Sequence, residues 1–487
     1  MSISGAEDSA ANTPGPVARI APVKLGDIVE LTGTDLAFGG DCVCRTDNYV
    51  VFVPRMAPGD RARVRIRQVR PSYGRGQLVE LISPGPGRVE PPCPWFGTCG
   101  GCQWMHLSIG AQREAKEKIV RGMLAPLGLD GCVAPIRGGP SSLGYRNRLI
   151  LPVRAAPGGF KAGFFRGGSH DIVEIDSCAV QQPALWEVAR GALALLREYG
   201  VKGWDEVKGT GFLRHLVVRG AAGTGESGVV LVTAGGAFSR GEEFAKTLME
   251  RIPAVKGVAR NINTEMTNVI FGPRTEPLAG VAYLNEEIAG LKLRASLAAF
   301  FQANHEVTGM MLEIIRGWTA DAAGGILDLY CGAGLMGLAI AGKADWLVGI
   351  EEEPLAVEDA RWNAGVGGVQ RATFHADRVE KVLPRIAGKL AGSAPTGRDL
   401  AHPSVGGLDT VVVDPPRKGL APEALSAITS LSAGRLIYVS CDPATFTRDL
   451  KVLISAGYML EEVVPLDMFP QSYHIELVAR LRRNKKA

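Results

Sequence analysis

The chain has 487 residues, of which 46% are hydrophobic and 21% are charged, a composition typical of an ordinary globular protein. Its net charge of +4 excludes a histone-like partner of nucleic acid but allows a local basic surface. Nine cysteines are too few for a disulfide scaffold of this length, and three of them lie close together between Cys93 and Cys102. The N-terminus has no basic region followed by an apolar region, so we expect a cytoplasmic protein without a signal peptide or a membrane span.

The first 83 residues predict a tail followed by a small barrel. Residues 1–23 are rich in Ala, Pro, Ser and Gly, and we expect them to be disordered. Residues 24–83 contain short alternating stretches separated by Gly-containing turns, which is typical of short strands. We therefore predict a small β-barrel for this segment.

Within this barrel, four arginines predict a basic strand face. Arg61, Arg63, Arg65 and Arg67 alternate with apolar residues, so that they project from the same face of one strand. Residues 55–75 contain seven arginines and one acid, a net charge of +6. Because arginines without interleaved acids repel one another unless something neutralises them, we expect this face to bind phosphates of a nucleic acid. A solvated strand face is the alternative.

Residues 84–295 predict a mixed α+β domain. Pro and Gly alternate over residues 84–87, which indicates a linker, and residues 111–124 have a helical pattern. Residues 216–219 and 228–232 have the apolar character of strands in an antiparallel sheet.

The cysteines of this domain predict a metal centre. In the pattern Cys93-x5-Cys99-Gly-Gly-Cys102, three thiolates lie within ten residues, and soft thiolates suit iron–sulfur clusters and zinc. A zinc site completed by His106 is one possibility. A 4Fe–4S cluster is the other, and its fourth ligand has to come from one of the remaining cysteines, which are Cys42, Cys44, Cys132, Cys178, Cys331 and Cys441.

Residues 296–487 predict a doubly wound, Rossmann-like α/β domain with a parallel sheet. Buried-strand patterns that end at Asp328, Glu351, Asp414 and Ser440 alternate with helical patterns, which is typical of βαβ units.

Functional residues follow the ends of these strands. The Gly-rich turn at residues 331–337 lets a ligand approach the backbone, and Glu351 is placed to bind ribose hydroxyls. This pattern alone fits either a nicotinamide cofactor or S-adenosylmethionine. The sequences Asp414-Pro-Pro-Arg and Ser440-Cys441-Asp-Pro follow the next two strands, and a dehydrogenase needs neither. Together they favour S-adenosylmethionine.

Five motifs in the same order resemble those of the RNA uracil-5-methyltransferase family. They are the cysteine motif, Asp328-Leu-Tyr-Cys-Gly-Ala-Gly, Asp414-Pro-Pro-Arg, Ser440-Cys441-Asp-Pro and His474-Ile-Glu476. The resemblance extends from residue 24 to the C-terminus. The Arg-rich barrel resembles the TRAM domain of that family, which is an OB-like RNA-binding barrel.

The resemblance implies specific roles for these residues. Cys441 is the expected nucleophile and Glu476 the expected general base. The expected ligands of a 4Fe–4S cluster are Cys93, Cys99, Cys102 and Cys178. The expected contacts of S-adenosylmethionine are Gln302, Tyr330, Glu351 and Asp414, with Asp377 near the adenine.

We therefore expect a monomeric enzyme that transfers a methyl group to C5 of a uridine in RNA through a covalent adduct of Cys441. Members of the family that combine an Arg-rich barrel with four such cysteines mostly resemble 23S ribosomal RNA enzymes, so the expected partner is ribosomal RNA. Transfer RNA is the alternative substrate. The alternative enzyme is a cytosine-5 or amino-group methyltransferase, and Arg417 and Cys441 disfavour the amino-group type. An inactive iron–sulfur RNA-binding protein is disfavoured by Cys441 and Glu476.

Overall fold

A computed structural model describes residues 21–390, 407–431 and 433–484. The chain divides into two compact units, one that ends at Arg88 and one that begins at Val89. Of the predicted N-terminal tail, residues 1–20 lie outside the described residues, and Val23 is already buried in the first unit. The predicted domain boundaries after residues 83 and 295 stay predictions.

The first unit is a closed barrel of five strands. The strands are β1 (Ile28–Leu36), β2 (Cys42–Thr46), β3 (Tyr49–Val53), β4 (Arg61–Val69) and β5 (Tyr73–Ser83), and they pair in the order β1-β2-β3-β5-β4. On β4 the apolar residues Ala62, Val64 and Ile66 are fully buried, and the arginines alternate with them on the outer face. Gly76 lies so close to Val64 that a Cβ atom there would be 2.3 Å from a methyl carbon, so only glycine lets the barrel close at this point.

The second unit begins with a helix and continues into a six-stranded sheet. Helix α1 (Ile109–Leu124) starts at Ser108, whose side chain accepts a hydrogen bond from the Ala111 N–H, and two 3-10 turns follow at Ala125–Leu127 and Asp130–Cys132. The next strands are β6 (Arg148–Ala156), β7 (Gly159–Ala162), β8 (Phe164–Phe165), β9 (Ile172–Val173), β10 (Leu213–Ala221), β11 (Glu226–Thr233), β12 (Val255–Ile262) and β13 (Arg274–Gly280). The sheet has the order β13-β12-β11-β10-β6-β7, and β8 pairs with β9 separately.

Both faces of the six-stranded sheet are covered. Helices α2 (Pro183–Glu198) and α3 (Gly241–Arg251) pack on one face, and the hairpin of β14 (Tyr283–Ile288) and β15 (Leu291–Ser296) packs on the other. The predicted antiparallel pairing of β10 with β11 is confirmed. The β11–β12 pair is parallel, because α3 provides the crossover connection that a parallel pair requires.

The C-terminal part of the second unit forms a seven-stranded sheet. Its strands are β16 (Gly324–Leu329), β17 (Ala344–Glu351), β18 (Ala372–Ala376), β19 (Leu408–Val413), β20 (Arg435–Ser440), β21 (Tyr458–Leu466) and β22 (Glu476–Arg483). The accompanying helices are α4 (His305–Trp318), α5 (Leu335–Ile340), α6 (Pro354–Val366), α7 (Val379–Leu390), α8 (Pro422–Ser430) and α9 (Pro443–Ser455), with a 3-10 turn at Ala341–Lys343.

The strand order of this sheet is β18-β17-β16-β19-β20-β22-β21. The first five strands in that order are parallel, as the βαβ pattern predicts, and β16 and β20 are buried along their whole length. The last strand in the chain, β22, is antiparallel and lies inside the sheet between β20 and β21. Glu476 at its start is therefore an interior carboxyl group rather than a surface group on an edge strand.

Among the described residues, no helix has both the length and the apolar composition needed to cross a bilayer.

Candidate active site

The strand ends of the seven-stranded sheet bring the expected catalytic and cofactor residues to one edge. Leu329 pairs with Ile350 of β17 and with Val413 of β19, so that the next residues of these three strands emerge side by side. These next residues are Tyr330, Glu351 and Asp414. Ligands of open α/β sheets bind at this carboxyl edge.

A cavity of about 40 Å³ lies at this edge. It is lined by Phe300, Phe301, Gln302, Asp328, Tyr330, Cys331, Gly332, Ala333, Leu335, Met336 and Asp414. Across the cavity wall, Gln302 Nε2 donates a hydrogen bond of 3.3 Å to Asp414 Oδ2. Gly332 and Gly334 both have positive φ angles, of 53° and 82°, which let the backbone turn sharply from β16 into α5. Three of the five expected cofactor residues therefore line one cavity.

Two carboxyl groups hold the Gly-rich turn in place. Asp328 Oδ2 accepts a hydrogen bond of 2.8 Å from the Gly337 N–H, and Glu351 Oε2 accepts one of 3.1 Å from the Gly332 N–H. Burial raises the pKa of Asp328 to about 7. In the sequence Asp328 stands out only as part of a motif, because its contact with Gly337 depends on how α5 packs above the strand.

Tyr330 is held over the cavity by a residue that sequence analysis missed. Its φ angle is 62°, a strained backbone conformation for a non-glycine residue, and its hydroxyl donates a hydrogen bond of 3.1 Å to Glu380 Oε1 on α7. No pattern in the sequence marks Glu380. The expected adenine contact Asp377 does not line the described cavity: it is partly exposed and forms an ion pair of 3.3 Å with Lys381.

Strand register also brings the expected nucleophile and general base together. Ser440 of β20 pairs with Leu477 of β22, and the strands are antiparallel, so the adjoining residues Cys441 and Glu476 lie across from each other. Cys441 is half-buried just before α9, whose first turn is capped by Asp442. Glu476 is only 4% exposed.

Burial and neighbouring acids determine the protonation of these groups. Burial, followed by the charges of Glu476 and Asp414, raises the pKa of Cys441 to about 11, against the opposing effect of Arg417. Burial, followed by the charge of Asp414, raises the pKa of Glu476 well above its ordinary value, again against Arg417. Burial and the charge of Glu351 raise the pKa of Asp414. All three groups therefore have raised pKa values, and shifted pKa values of this kind are common at sites of proton transfer.

The four expected cluster cysteines line a second cavity. This cavity has a volume of about 120 Å³, and Cys93, Cys99, Cys102 and Cys178 share its wall with apolar side chains that include Trp95, Phe96, Met105, Phe164 and Ile175. Burial raises the pKa of Cys102 to about 12, with smaller contributions from the other thiols. His106, the ligand of the alternative zinc site, is not among the described residues that line this cavity, and its ring packs against Phe96 at 5.5 Å.

Among residues 21–390, 407–431 and 433–484, no three His, Cys, Asp or Glu side chains lie close enough together to hold a metal ion. The cysteines thus surround a common space without meeting at one point.

On the barrel, the expected basic face is partly neutralised. Arg61 pairs with Glu30 of β1, and Arg63 Nη1 lies 3.1 Å from Glu80 Oε2 of β5. Arg65 makes no ion pair with any described residue. The acids that offset two of the arginines lie on neighbouring strands and not between the arginines in the sequence.

Known proteins resemble both units. Residues 284–484 match the family described as tRNA (Uracil-5-)-methyltransferase, and residues 22–79 match the TRAM domain. An uncharacterized RNA methyltransferase of Halalkalibacterium halodurans is 39% identical over 95% of this chain and 98% of its own length. One of Gloeobacter violaceus is 37% identical over 94% of this chain and 97% of its own length.

Among solved structures, the crystal structure of the Pyrococcus abyssi tRNA (uracil-54, C5)-methyltransferase in complex with S-adenosyl-L-homocysteine is similar to this chain. The sequence identity is 26% and the TM-score is 0.69, over 93% of this chain and 100% of that one.

Proposed function

The chain belongs to the RNA uracil-5-methyltransferase family, and on that premise we propose that it methylates C5 of a uridine through a covalent adduct of Cys441. The observation that carries this mechanism is the register of β20 and β22. Ser440 pairs with Leu477, so that Cys441, the residue after Ser440, and Glu476, the residue before Leu477, lie across from each other. The reaction needs a nucleophile at C6 of the uracil ring and a base at the neighbouring C5, and two adjacent strand ends can supply both.

The carbon C5 of uracil is too weak a nucleophile to attack a methyl group directly. In the proposed mechanism the Cys441 thiolate forms a bond to C6, and the electron pair displaced from the C5–C6 double bond enriches C5. C5 then forms a bond to the methyl carbon, and the methyl–sulfur bond breaks. Glu476 removes the C5 proton, the double bond re-forms, and the thiolate leaves C6.

S-adenosylmethionine, when bound, supplies an electrophilic methyl group on a positively charged sulfur. We assign its contacts to Gln302, Tyr330, Glu351 and Asp414, and Asp377 stays a prediction for the adenine. The carboxyl groups around the cavity favour a cationic ligand because a positive charge offsets their mutual repulsion.

The target uridine has to leave a base stack to reach this edge. We assign its stacking partner to Phe300, which lines the cavity and is 63% exposed. Phe301 is not free to stack in the same way, because the guanidinium of Arg219 lies 5.1 Å from the centre of its ring.

We assign a 4Fe–4S cluster to Cys93, Cys99, Cys102 and Cys178. The fit rests on four thiols around one cavity, soft ligands of the kind that iron–sulfur clusters require, and on a lining that is otherwise largely apolar. Anaerobically purified protein is expected to contain iron and acid-labile sulfide in equal amounts, and Cys178→Ser is expected to lose both. Stoichiometric zinc without iron would contradict this assignment.

For the RNA, we propose a uridine of 23S ribosomal RNA, bound in part by Arg61, Arg63, Arg65 and Arg67 of the barrel. The second candidate is transfer RNA, which is supported by the transfer-RNA enzyme that aligns with 93% of this chain. Digestion of purified 23S ribosomal RNA and transfer RNA from a deletion strain, followed by mass spectrometry of 5-methyluridine, separates the two. A monomeric, cytoplasmic protein stays a prediction.

The adduct tests the mechanism directly. The Glu476→Gln variant, incubated with RNA and S-adenosylmethionine, is expected to accumulate a protein–RNA species that survives denaturation, because methyl transfer occurs but proton removal does not. The double variant with Cys441→Ala is expected to form none. An adduct that persists without Cys441 would contradict the assignment of the nucleophile, and the absence of both adduct and methylation in the unaltered protein would favour an inactive RNA-binding protein.

A further inference from the structure

The segment that leads into Glu476 is held by a part of the chain that the proposed mechanism does not use. Residues 467–475 connect β21 to β22, and Glu476 is the first residue of β22. Gln471 lies in the middle of this connector, is 5% exposed and has a φ angle of 70°. A buried, non-glycine residue in this conformation needs surrounding contacts that compensate for the strain.

Those contacts come from the residues directly after the cysteine motif. The backbone N–H groups of Gln103 and Trp104 both donate to the Gln471 carbonyl, at 3.1 and 3.0 Å. Gln112 of α1 forms a two-way pair with the same residue: its Oε1 accepts from the Gln471 N–H at 2.7 Å, and its Nε2 donates to Gln471 Oε1 at 3.0 Å. Four hydrogen bonds therefore join one residue of the connector to residues 103–112.

A second set of contacts fixes the beginning of the connector. Lys116 of α1 and Asp467 are both fully buried, and Lys116 Nζ lies 2.6 Å from Asp467 Oδ1. The same Nζ donates to the Phe469 carbonyl at 3.0 Å. A buried ion pair contributes little net stability after desolvation, but it restricts the geometry of the groups that surround it.

The connector also touches the wall of the cysteine cavity. Phe469, like Cys102 and Cys178, packs against the apolar cluster of Met105, Tyr145 and Val180. The guanidinium of Arg146, which lines the cavity, lies 5.8 Å from the centre of the Phe469 ring. The cavity and the connector are thus parts of one packed region.

We propose that residues 103–116 are a positioning element for the general base, and that Gln112 and Gln471 are its positioning residues. This inference rests on the proposed role of Glu476. By holding the connector at Gln471 and Asp467, the element sets where Glu476 stands relative to Cys441. It therefore acts on proton removal from the adduct and leaves adduct formation largely unchanged.

The test uses Gln112→Ala, which removes the two-way pair, together with the hydrogen bonds from Gln112 Nε2 to the Trp104 and Leu107 carbonyls, without leaving a buried charge. Lys116 is not suitable because its loss would leave Asp467 buried without its lysine. We expect a decrease in kcat of about 10²-fold, the effect of a misplacement of about 1 Å at a reacting group, with little change in the KM for S-adenosylmethionine. The denaturation-resistant adduct is expected to accumulate, which a merely structural role would not produce. The matched control is Glu114→Ala, an exposed residue on the same helix.

A second variant guards against loss of folding. Gln471→Asn shortens the side chain, so that its amide oxygen no longer reaches Gln112 Nε2, and asparagine tolerates a positive φ angle well. In both variants, amide hydrogen exchange over residues 467–475 is expected to accelerate relative to Glu114→Ala. Unchanged exchange would overturn the proposal, and so would faster exchange with wild-type turnover and adduct levels, or an equal loss of adduct formation and turnover.

Parallel measurement of Glu476→Gln separates this inference from the proposed function. If Glu476→Gln forms no adduct, the role of Glu476 fails, and the exchange data still show whether residues 103–116 hold the connector. If Glu476→Gln accumulates adduct and Gln112→Ala does not, the role of Glu476 stands and the positioning element fails.

Discussion

On the outer face of the barrel, exposed arginines such as Arg61 and Arg63 pair with acids. Along the carboxyl edge of the seven-stranded sheet, by contrast, carboxyl groups lie near one another in a partly desolvated site. Arg63 and Glu80 of the barrel have side chains that are 60% and 57% exposed, while Glu476 at the edge is 4% exposed. The barrel's buried acid, Asp60, is fully satisfied by Arg88 and two backbone N–H groups.

This difference separates two uses of charge. Hydrogen bonds from Arg88, Gly85 and Ala57 outweigh the opposing effect of burial and hold the pKa of Asp60 below its ordinary value. At the edge, burial and neighbouring acids raise the pKa of Asp414 and Glu476 instead. The barrel thus uses its internal acid for structure, and the edge keeps acids that can exchange protons and meet a cationic ligand.

The largest expected effect follows from removing one acid of the edge. Asp414→Asn is expected to lower kcat by about 10²-fold or more, because Asp414 contacts Gln302 in the cavity that we assign to the cofactor. It also removes a charge that raises the pKa of Glu476. The pKa of Glu476 then falls, its carboxylate form persists to lower pH, and the acid limb of the kcat profile shifts to lower pH.

Asp345→Asn is the control for this measurement, since Asp345 lies at the opposite end of β17. If the acid limb of the kcat profile of Asp414→Asn stays in place or moves to higher pH, the charge of Asp414 does not raise the pKa of the catalytic base.

The next effect tests the structural acid of the barrel. Asp60→Ala leaves Arg88 without its buried partner, and we expect it to lower the free energy of unfolding of the barrel by about 3–5 kcal/mol. The exposed pair offers a matched control, because Glu80→Ala is expected to cost less than about 1 kcal/mol. Urea unfolding, monitored by amide hydrogen exchange in residues 28–83, measures the free energy of unfolding of both variants.

The pH dependence of the barrel has a definite sign. Because the pKa of Asp60 is lowered in the folded state, its contribution to stability is present above the unfolded pKa and is lost as the pH falls through the folded pKa. In the urea measurement, equal losses of unfolding free energy for Asp60→Ala and Glu80→Ala would show that burial does not distinguish the two acids.

A smaller effect is expected at Glu380, which holds the Tyr330 hydroxyl. Glu380→Gln replaces a charged acceptor with a neutral one and is expected to weaken binding of S-adenosylhomocysteine about fivefold, or about 1 kcal/mol. Calorimetry of Glu380→Gln, Tyr330→Phe and the double variant completes a mutant cycle. Additive losses would mean that the two side chains act independently.

The smallest effect is expected on the barrel surface. Arg65 makes no ion pair among residues 21–88, whereas Arg61 and Arg63 face acids. Arg65→Ala is therefore expected to weaken RNA binding a few-fold and to reduce the slope of log affinity against log salt by about 1. Arg61→Ala serves as the comparison and is expected to change the slope less. A larger effect at Arg61 would show that Glu30 does not neutralise it in the presence of RNA.

The sequence predicted the parts of this molecule that depend on local periodicity or on motifs. Alternation along β4 identified the inward residues Ala62, Val64 and Ile66 and the outward arginines, because side chains of a strand alternate between faces. The motifs included Asp414, Cys441 and Glu476, which the fold brings to one edge of the sheet, and the spacing of the cysteines indicated three of the four cysteines that line the second cavity.

Other features required the pairing of distant segments. The acids Glu30 and Glu80 meet the arginines of β4 only because β1 and β5 flank that strand. Glu380 reaches Tyr330 only through the packing of α7, and the joining of Gln471 to Gln112 spans 359 residues of sequence.

The sequence by itself determined which residue types stand at each strand end and which barrel residues face inward, since these follow from periods of two and from short motifs. Only the tertiary structure decided that β22 enters the sheet between β20 and β21, which buries Glu476 across from Cys441. The physical reason is that the register of paired strands is set by contacts between segments far apart in the chain, and local sequence does not specify those contacts.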